Sequence, residues 1–538
     1  MDREGSPDDL LDDHPLRPQA AVQSLALLQV PGQRSRNVSI SSSVTDLDAP
    51  MFVRDTSTPP PRQRQGFNCR LAFAIAAGAL GSAFQHGYNT GVVNAPQKLI
   101  EGWIRDIEAN RSDIESWEVE KTKVTMVWSI AVSIFCVGGM IGGSITGIVA
   151  ERLGRKGGLL ANNVLVLLSA ILQGCSKSAE SYEMIIIGRF LIGINSGLNA
   201  GLVPMYLSEI APAHLKGAIG TVYQLVITIS ILISQILGLE TILGSENGWP
   251  ILLALTIVPG IFQVLTLPFC PESPKYLLLS KGLDIEAQRA LAWLRGTIEV
   301  HDEMDEMRGE YEAAKSVPKV TLRDMFMNRA LRIPLFISVV VMICQQLSGI
   351  NAVFFFSTKI FMMAKLSDMN AQYATLGMGA INVLMTLVSL VLVERAGRKT
   401  LLLVGFSGMC VCTVLLTICL VYVEYSVHVS YFAIFLVIFF VVNFAIGPGS
   451  IPWFLVSELF NQSARSAATS CAVAINWTAN FIVGITFLPL EQVLHGYVFI
   501  IFAVLLSLFV LFVYRKVPET KNKTMEEITA MFRQRSYE

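Results

Sequence analysis

Polar and apolar positions along this chain alternate on the scale of whole helices. Long, nearly uncharged runs occupy roughly 70–93, 124–150, 157–175, 182–207, 217–239, 249–270, 333–362, 372–393, 400–422, 430–456, 466–489 and 494–514. A bilayer core asks for about 20 mostly apolar residues per helix, so each run predicts one membrane-spanning α-helix. Six runs precede the polar segment 271–330 and six follow it. The expected fold is therefore an all-α polytopic membrane protein with two six-helix halves. Its expected parts are a polar N-terminal tail (1–67), a first half (68–270), an intervening helical segment (271–330), a second half (331–514) and a C-terminal tail (515–538).

The polar loops repeat in order. Glu151-Arg152-Leu153-Gly154-Arg155-Lys156 returns as Glu394-Arg395-Ala396-Gly397-Arg398-Lys399. A Glu followed seven positions later by a base occurs as Glu209 with Lys216 and again as Glu458 with Arg465. Pro271-Glu272-Ser273-Pro274-Lys275 is echoed by Pro518-Glu519-Thr520-Lys521. Three landmarks recurring in one order mark two related halves in tandem. In a membrane protein this is the plan of an alternating-access transporter with its site between the halves.

Composition agrees. Hydrophobic residues make up 52% of the chain and charged residues 15%, below the roughly 25% charge of soluble domains. The short loops after spans 2, 4, 8 and 10 hold Arg152, Arg155, Lys156, Lys216, Arg395, Arg398, Lys399 and Arg465, whereas those after spans 3, 5, 9 and 11 hold only Lys177. Positive charge marks the cytoplasmic side, so both termini and segment 271–330 are expected there. Residues 1–67 lack the apolar core of a cleavable signal and read as a disordered tail. The sequon at Asn110 falls in the external connection after span 1, where N-glycosylation is expected; sequons at Asn37, Asn461 and Asn522 fall on the cytoplasmic side.

Candidate chemistry narrows the class. The nine cysteines and six histidines show no metal-ligand or redox spacing, so neither a metal nor a cofactor is expected. Within the spans stand neutral amides: Asn89, Gln224, Gln235, Gln345, Gln346, Asn351, Asn382, Asn476 and Asn480. An amide in hydrocarbon is costly unless paired or lining a wet cavity, and it offers a donor and an acceptor, as does each sugar hydroxyl. Phe354, Phe444 and Trp453 supply flat apolar surfaces of the kind a pyranose face packs on. Gly447-Pro448-Gly449-Ser450-Ile451-Pro452 should break span 10, as happens beside transport sites. Acids are missing from the middle of spans 1, 2, 5, 8 and 11; Glu183 and Arg189 stand together near the start of span 4. Proton coupling needs an intramembrane acid, so passive transport is expected, and no enzymatic cluster is present.

Gly87-Tyr88-Asn89-Thr90-Gly91-Val92-Val93-Asn94-Ala95-Pro96, Gln345-Gln346-Leu347-Ser348-Gly349-Ile350-Asn351, Ile451-Pro452-Trp453-Phe454 and Asn476-Trp477 with Asn480-Phe481 resemble signatures of the animal facilitative hexose transporters of the major facilitator superfamily. The resemblance implies a uniporter of hexoses, with D-glucose favoured, in the plasma membrane. It implies that Gln224, Gln345, Gln346, Asn351, Asn382 and Asn480 bind sugar hydroxyls, with Phe354, Phe444 and Trp453 around the ring. It further implies cytoplasmic gate ion pairs among Glu151, Arg155, Glu209, Lys216, Glu394, Arg398, Glu458 and Arg465, and a latching role for segment 271–330. Asn89 stands where bacterial proton–sugar symporters of this fold carry an acid.

Three departures from the family pattern matter. Ala445 replaces the usual Glu and resembles the family's fructose carrier, which lacks the Trp453 present here. Phe355 and Phe356 replace tyrosines of the extracellular gate, and Lys216 replaces Arg. A fructose-preferring carrier, a proton-coupled symporter and a non-transporting sugar sensor are the alternatives. Membrane lipids are expected partners and nucleic acid is not. Arg34 and Arg36 precede Ser39 at the spacing basophilic kinases read, making Ser39 a candidate phosphosite.

Overall fold

The computed structural model describes residues 67–212, 215–315, 320–521, 523 and 525–537. Ser39 and Asn37 lie outside the described residues, as does the side chain of Glu394. The described chain is helical, in the order α1 (Cys69–Gly78), a π-helical turn (Ala79–Ala83), α2 (Phe84–Gly91), α3 (Gln97–Ser112), α4 (Lys121–Leu153), α5 (Arg155–Cys175), α6 (Tyr182–Ile210), α7 (Lys216–Leu237), α8 (Trp249–Ala254) and α9 (Ile257–Thr266). The segment between the halves forms α10 (Asp284–Arg295), α11 (His301–Lys315) and α12 (Leu322–Met327). Then come α13 (Arg329–Leu347), α14 (Ile350–Met363), α15 (Asp368–Arg395), α16 (Arg398–Tyr422), α17 (Val427–Ile446), α18 (Ile451–Leu459), α19 (Gln462–Leu494), α20 (Val498–Lys516) and α21 (Met525–Tyr537).

Ten stretches among the described residues are long and apolar enough to cross a membrane. The last, Ser463–Lys516, is 54 residues, too long for one crossing at about 1.5 Å per residue. It turns back at His495–Tyr497 and makes two. The first expected span is met by α1, the π turn and α2 in succession. Here Gln263 of α9 donates to Ser82 Oγ (2.7 Å) and to the Ala77 carbonyl (3.3 Å). A π-bulge and a side chain inserted into the carbonyl ladder are both recognised sites of helix kinking.

Three more crossings are broken. Span 7 stops at Leu347 and restarts at Ile350, through Gly349 at φ +93°; no L side chain holds that angle comfortably. Span 10 stops at Ile446 and restarts at Ile451, as its glycines and prolines require. Span 6 breaks between Ala254 and Ile257. Elsewhere small residues tighten the bundle. Gly138, Gly142, Gly193 and Gly197 bring α4 and α6 so close that a Cβ at any of them would meet facing backbone, the small-residue packing that membranes favour.

The loops bearing the repeated charges share one face, here the motif face; α3 lies on the far face. Helices α10 and α11 attach to the first half: Asn68 Nδ2 donates to the Leu294 carbonyl (2.8 Å), and Arg295 donates to the Ile210 carbonyl (2.8 Å) while pairing with Glu303. Helix α12 sits by the second half, where the Val320 amide donates to the Ser463 carbonyl (3.3 Å).

Candidate functional site

Each half carries the same polar knot on the motif face. In the first, Arg155 donates from Nε and Nη2 to the two Glu209 oxygens, both at 2.8 Å. Glu272 accepts from the backbone amides of Arg155, Lys156 and Gly157, capping α5. Ser273 donates to Glu209, and Lys156 reaches the Cys270 carbonyl at 2.7 Å. In the second half Arg398 donates twice to one Glu458 oxygen (3.1 and 2.9 Å), Glu519 caps α16 through the Arg398 and Lys399 amides, and Thr520 donates to Glu458. A carboxylate at a helix N-terminus meets both free amides and the positive end of the helix dipole.

Both ion pairs thus lie inside a half. Among the remaining charges named from the sequence, Arg465 donates to the Phe460 carbonyl (3.3 Å), Lys216 stands near Glu310, and the exposed Glu151 offers its carbonyl to Tyr276. Lys275 also pairs with Glu310, and that contact holds the Glu310 carboxyl below its ordinary range.

Among the described residues, bonds between the halves lie at mid-depth or on the far face. Asn94 donates to the Phe354 carbonyl (3.2 Å) and to Ser357 Oγ (2.5 Å), and accepts from the Thr358 amide (3.1 Å). Lys98 pairs with Asp368 at 2.6 Å, Gln492 donates to Thr125, and the Glu240 amide donates to Gln372 (3.1 Å). The stripe Gly139, Gly143 and Gly147 of α4 records the geometry directly. At Gly139 a Cβ would meet the Trp477 ring at 2.6 Å, at Gly143 it would meet Val473 at 3.1 Å, and at Gly147 it would meet nothing within 4 Å. Helices α4 and α19 touch toward the far face and part toward the motif face.

Beside the Trp477 contact, the broken spans 7 and 10 face one another. Gln345 donates from Nε2 to the Pro448 and Gly449 carbonyls, both at 2.8 Å, so the amide of one broken helix satisfies the carbonyls freed by the other. Its Oε1 accepts from Asn476 (2.8 Å), while Gln346 donates to Asn476 Oδ1 (3.0 Å) and accepts from Asn351. Asn480, one turn beyond Asn476, is buried with an unpaired Oδ1. Asn382 is buried on α15, and Gln224 is exposed on α7. Phe354 and Phe444 meet edge to face at 6.4 Å, and Trp453 is 41% exposed. Phe355 packs on Phe356, which stacks on Phe487 at 5.5 Å, deep in the closed side.

The structure thus brings Gln345, Gln346 and Asn351 into one network and adds Asn476, whose four-residue spacing from Asn480 was the available signal. From the first half His86 joins: its Nδ1 lies 3.0 Å from Tyr223 Oη, and its ring stacks on Trp477 at 5.7 Å. Nothing in the sequence pattern marked it. Glu183 does not pair with Arg189 but with Arg111 (2.6 Å). Arg189, fully buried, lies over Phe135 and donates to the Asn89 carbonyl (2.8 Å). Asn89 in turn donates to Thr256 Oγ1 (2.7 Å) and to the Gln85 carbonyl (2.8 Å). Among the described residues no group of His, Cys, Asp and Glu could hold a metal ion.

Two pseudo-equivalent six-helix halves, closed against each other on one face around a neutral amide network, define a membrane transporter of the major facilitator type. The chain belongs to the family of sugar (and other) transporters, whose match covers residues 74–532. It is 47% identical to the mouse facilitated glucose transporter member 4, over 88% of this chain and 92% of that one. It is 46% identical to the chicken facilitated glucose transporter member 1, over 86% and 94%. Its fold is similar to the Escherichia coli xylose transporter in a partially occluded inward-open conformation, with TM-score 0.72, 25% identity, and 85% of this chain and 100% of that one covered. The xylose symporter bound to 6-bromo-6-deoxy-D-glucose is also similar, with TM-score 0.69 at 25% identity, over 86% and 99%.

Proposed function

We propose that this protein is a facilitative carrier of hexoses, with D-glucose as principal substrate, working by alternating access in the plasma membrane. The observation that carries the reading is the amide network of Gln345, Gln346, Asn351 and Asn476 at the break of two facing helices. It holds no ionised group, and its members already exchange hydrogen bonds among themselves. A sugar hydroxyl can replace each such bond without leaving a buried charge. Gln224, Asn382 and Asn480 extend the set of hydroxyl partners, and Phe354, Phe444 and Trp453 pack against the C–H face.

The motif face is cytoplasmic, because the loop bases gather there, and this conformer is open to the cytoplasm. Asn110, exposed on the far face, is then external and glycosylated. The Arg155–Glu209 and Arg398–Glu458 pairs brace each half so that it moves as a unit, and α10 to α12 latch the halves when the motif face closes. Phe355, Phe356 and Phe487 seal the external side with apolar rings. Uniport follows from Asn89: the neighbour of the buried Arg189 is an amide that binds Thr256 and takes up no proton.

Labelled D-glucose and D-fructose uptake into liposomes holding the purified chain tests this, with Gln345→Ala as control. Saturable D-glucose entry, accelerated by counterflow, unchanged by a proton gradient and lost in the variant, is expected. Fructose flux without glucose flux would show that Ala445 outweighs Trp453 in selectivity, and uphill accumulation driven by protons would overturn uniport.

A further inference from the structure

Gln235 of α7 is 3% exposed, and neither its Oε1 nor its Nε2 has a hydrogen-bond partner. It sits where α7 meets α15 of the other half, on the closed side of the site. Its carboxamide lies against Gly379: a Cβ added there would meet the Gln235 Cδ at 3.3 Å and the Leu232 Cδ1 at 3.2 Å, with the Gln235 Oε1 nearer still. Asn382 follows one turn along α15, and Gln224 and Thr228 precede Gln235 on the same face of α7. The polar face of the path therefore continues into the seam and ends in an amide that the closed seam strips of every partner.

An unpaired buried amide costs free energy that the same group does not lose in water. Closing this seam buries Gln235 and opening it rehydrates the group, so the cost falls on one conformer alone. A group that weighs on one of two conformers sets the balance between them. We infer that Gln235 is a positioning residue of the transport cycle, which limits how long the far-face seam stays shut and so speeds its reopening. Gly379 is its complement: the missing side chain is what lets the amide be enclosed at all. The inference rests on the alternating-access reading and is independent of which sugar is carried.

Ser133 provides the readout. It is fully buried on α4, with its Cβ 3.2 Å from the place a Cβ would take at Gly484 of α19, inside the same closed side. In intact cells expressing the full chain, Ser133→Cys is labelled by a membrane-impermeant maleimide only while the far face is open, and mass spectrometry reads that one site. Gln235→Leu removes the unpaired amide and should slow labelling about tenfold, the shift that about 1.4 kcal/mol produces. Gly379→Ala pushes a methyl group into the carboxamide, disfavours the closed seam and should speed labelling. The opposite signs separate this role from a merely structural one, since two destabilising substitutions would act alike. Equal effects in one direction, no effect of Gln235→Leu, or no labelling in any variant would overturn the inference. Because labelling needs no sugar, opposite shifts in a protein that carries no D-glucose would uphold the inference and sink the substrate assignment alone.

Discussion

Asn476 on α19 donates a 2.8 Å hydrogen bond to Gln345 on α13, and Gln345 in turn closes on the Pro448 carbonyl of the span 10 break. Three crossings are thereby tied through one glutamine.

Asn476→Ala should show how far this tie orients the site. It leaves Gln345 Oε1 with only the 3.5 Å contact from Gln346 Nε2 and deprives Gln346 of its nearer acceptor at 3.0 Å. We expect the KM for D-glucose to rise about tenfold in proteoliposomes, from the loss of one oriented hydrogen-bonding partner. An unchanged KM would mean that the network does not position the sugar.

The two motif-face ion pairs should differ in strength. Arg155 and Glu209 are 15% and 14% exposed and bind through both carboxylate oxygens, whereas Arg398 and Glu458 are 20% and 26% exposed and share one. Arg155→Ala should lower stability by about 1–3 kcal/mol and Arg398→Ala by less, read as thermal unfolding of the purified protein. Arg155→Lys should recover only part, having lost the second parallel bond.

Glu101 predicts a pH effect on conformation. It lies on α3 beside a cavity of about 240 Å³ lined by Gln97, Lys98, Lys359, Met362 and Met363, where the halves meet on the far face. Burial there holds its carboxyl above the ordinary 4.5, against the pull of Gln97, Lys359, Lys121 and Arg105. Opening the far face removes the burial, so the closed conformer has the higher pKa and binds protons more readily. Its advantage is fullest below the ordinary pKa of the open conformer and is lost as pH rises through the raised pKa of the closed one. External acidification toward that range should slow labelling of Ser133→Cys by more than the loss of thiolate slows a freely exposed cysteine, and Glu101→Gln should abolish the excess.

Gly349→Ala tests the break in span 7. Alanine at φ +93° is strained, by about 1–2 kcal/mol for the left-handed backbone, and its Cβ would meet the Phe502 ring at 2.9 Å. Lower thermal stability and slower D-glucose exchange are expected, read by unfolding and equilibrium-exchange flux.

Asn110→Gln should abolish an electrophoretic shift on glycosidase treatment. Persistence of the shift would place the glycan on a different residue and leave the external assignment of α3 without support.

Much of this protein could be read from its chain. The apolar runs fixed twelve crossings, since hydrocarbon admits only backbones that satisfy themselves, and Gly447 to Pro452 announced the break in span 10. Gly349 alone did not announce the break in span 7, because one glycine inside a helical pattern is tolerated. The π turn at Ala79–Ala83 was invisible, since the Gln263 side chain that meets it comes from a distant helix. Helix α3 stayed hidden in a loop judged by its polarity, although Ile100, Ile104 and Ile107 are buried along one face.

What the sequence determined by itself is the membrane class, the tandem halves and the presence of neutral amides within the spans, because hydropathy, internal repeats and residue type are local properties. Tertiary structure decided who meets whom. It paired Glu183 with Arg111 and left Arg189 to the Asn89 carbonyl, enclosed each motif ion pair within one half, and drew Asn476 and His86 to the site. It also decided which face is shut, for that depends on contacts such as Lys98 with Asp368 and Asn94 with Ser357, between residues more than 250 positions apart. No pattern along one helix encodes the distance to another.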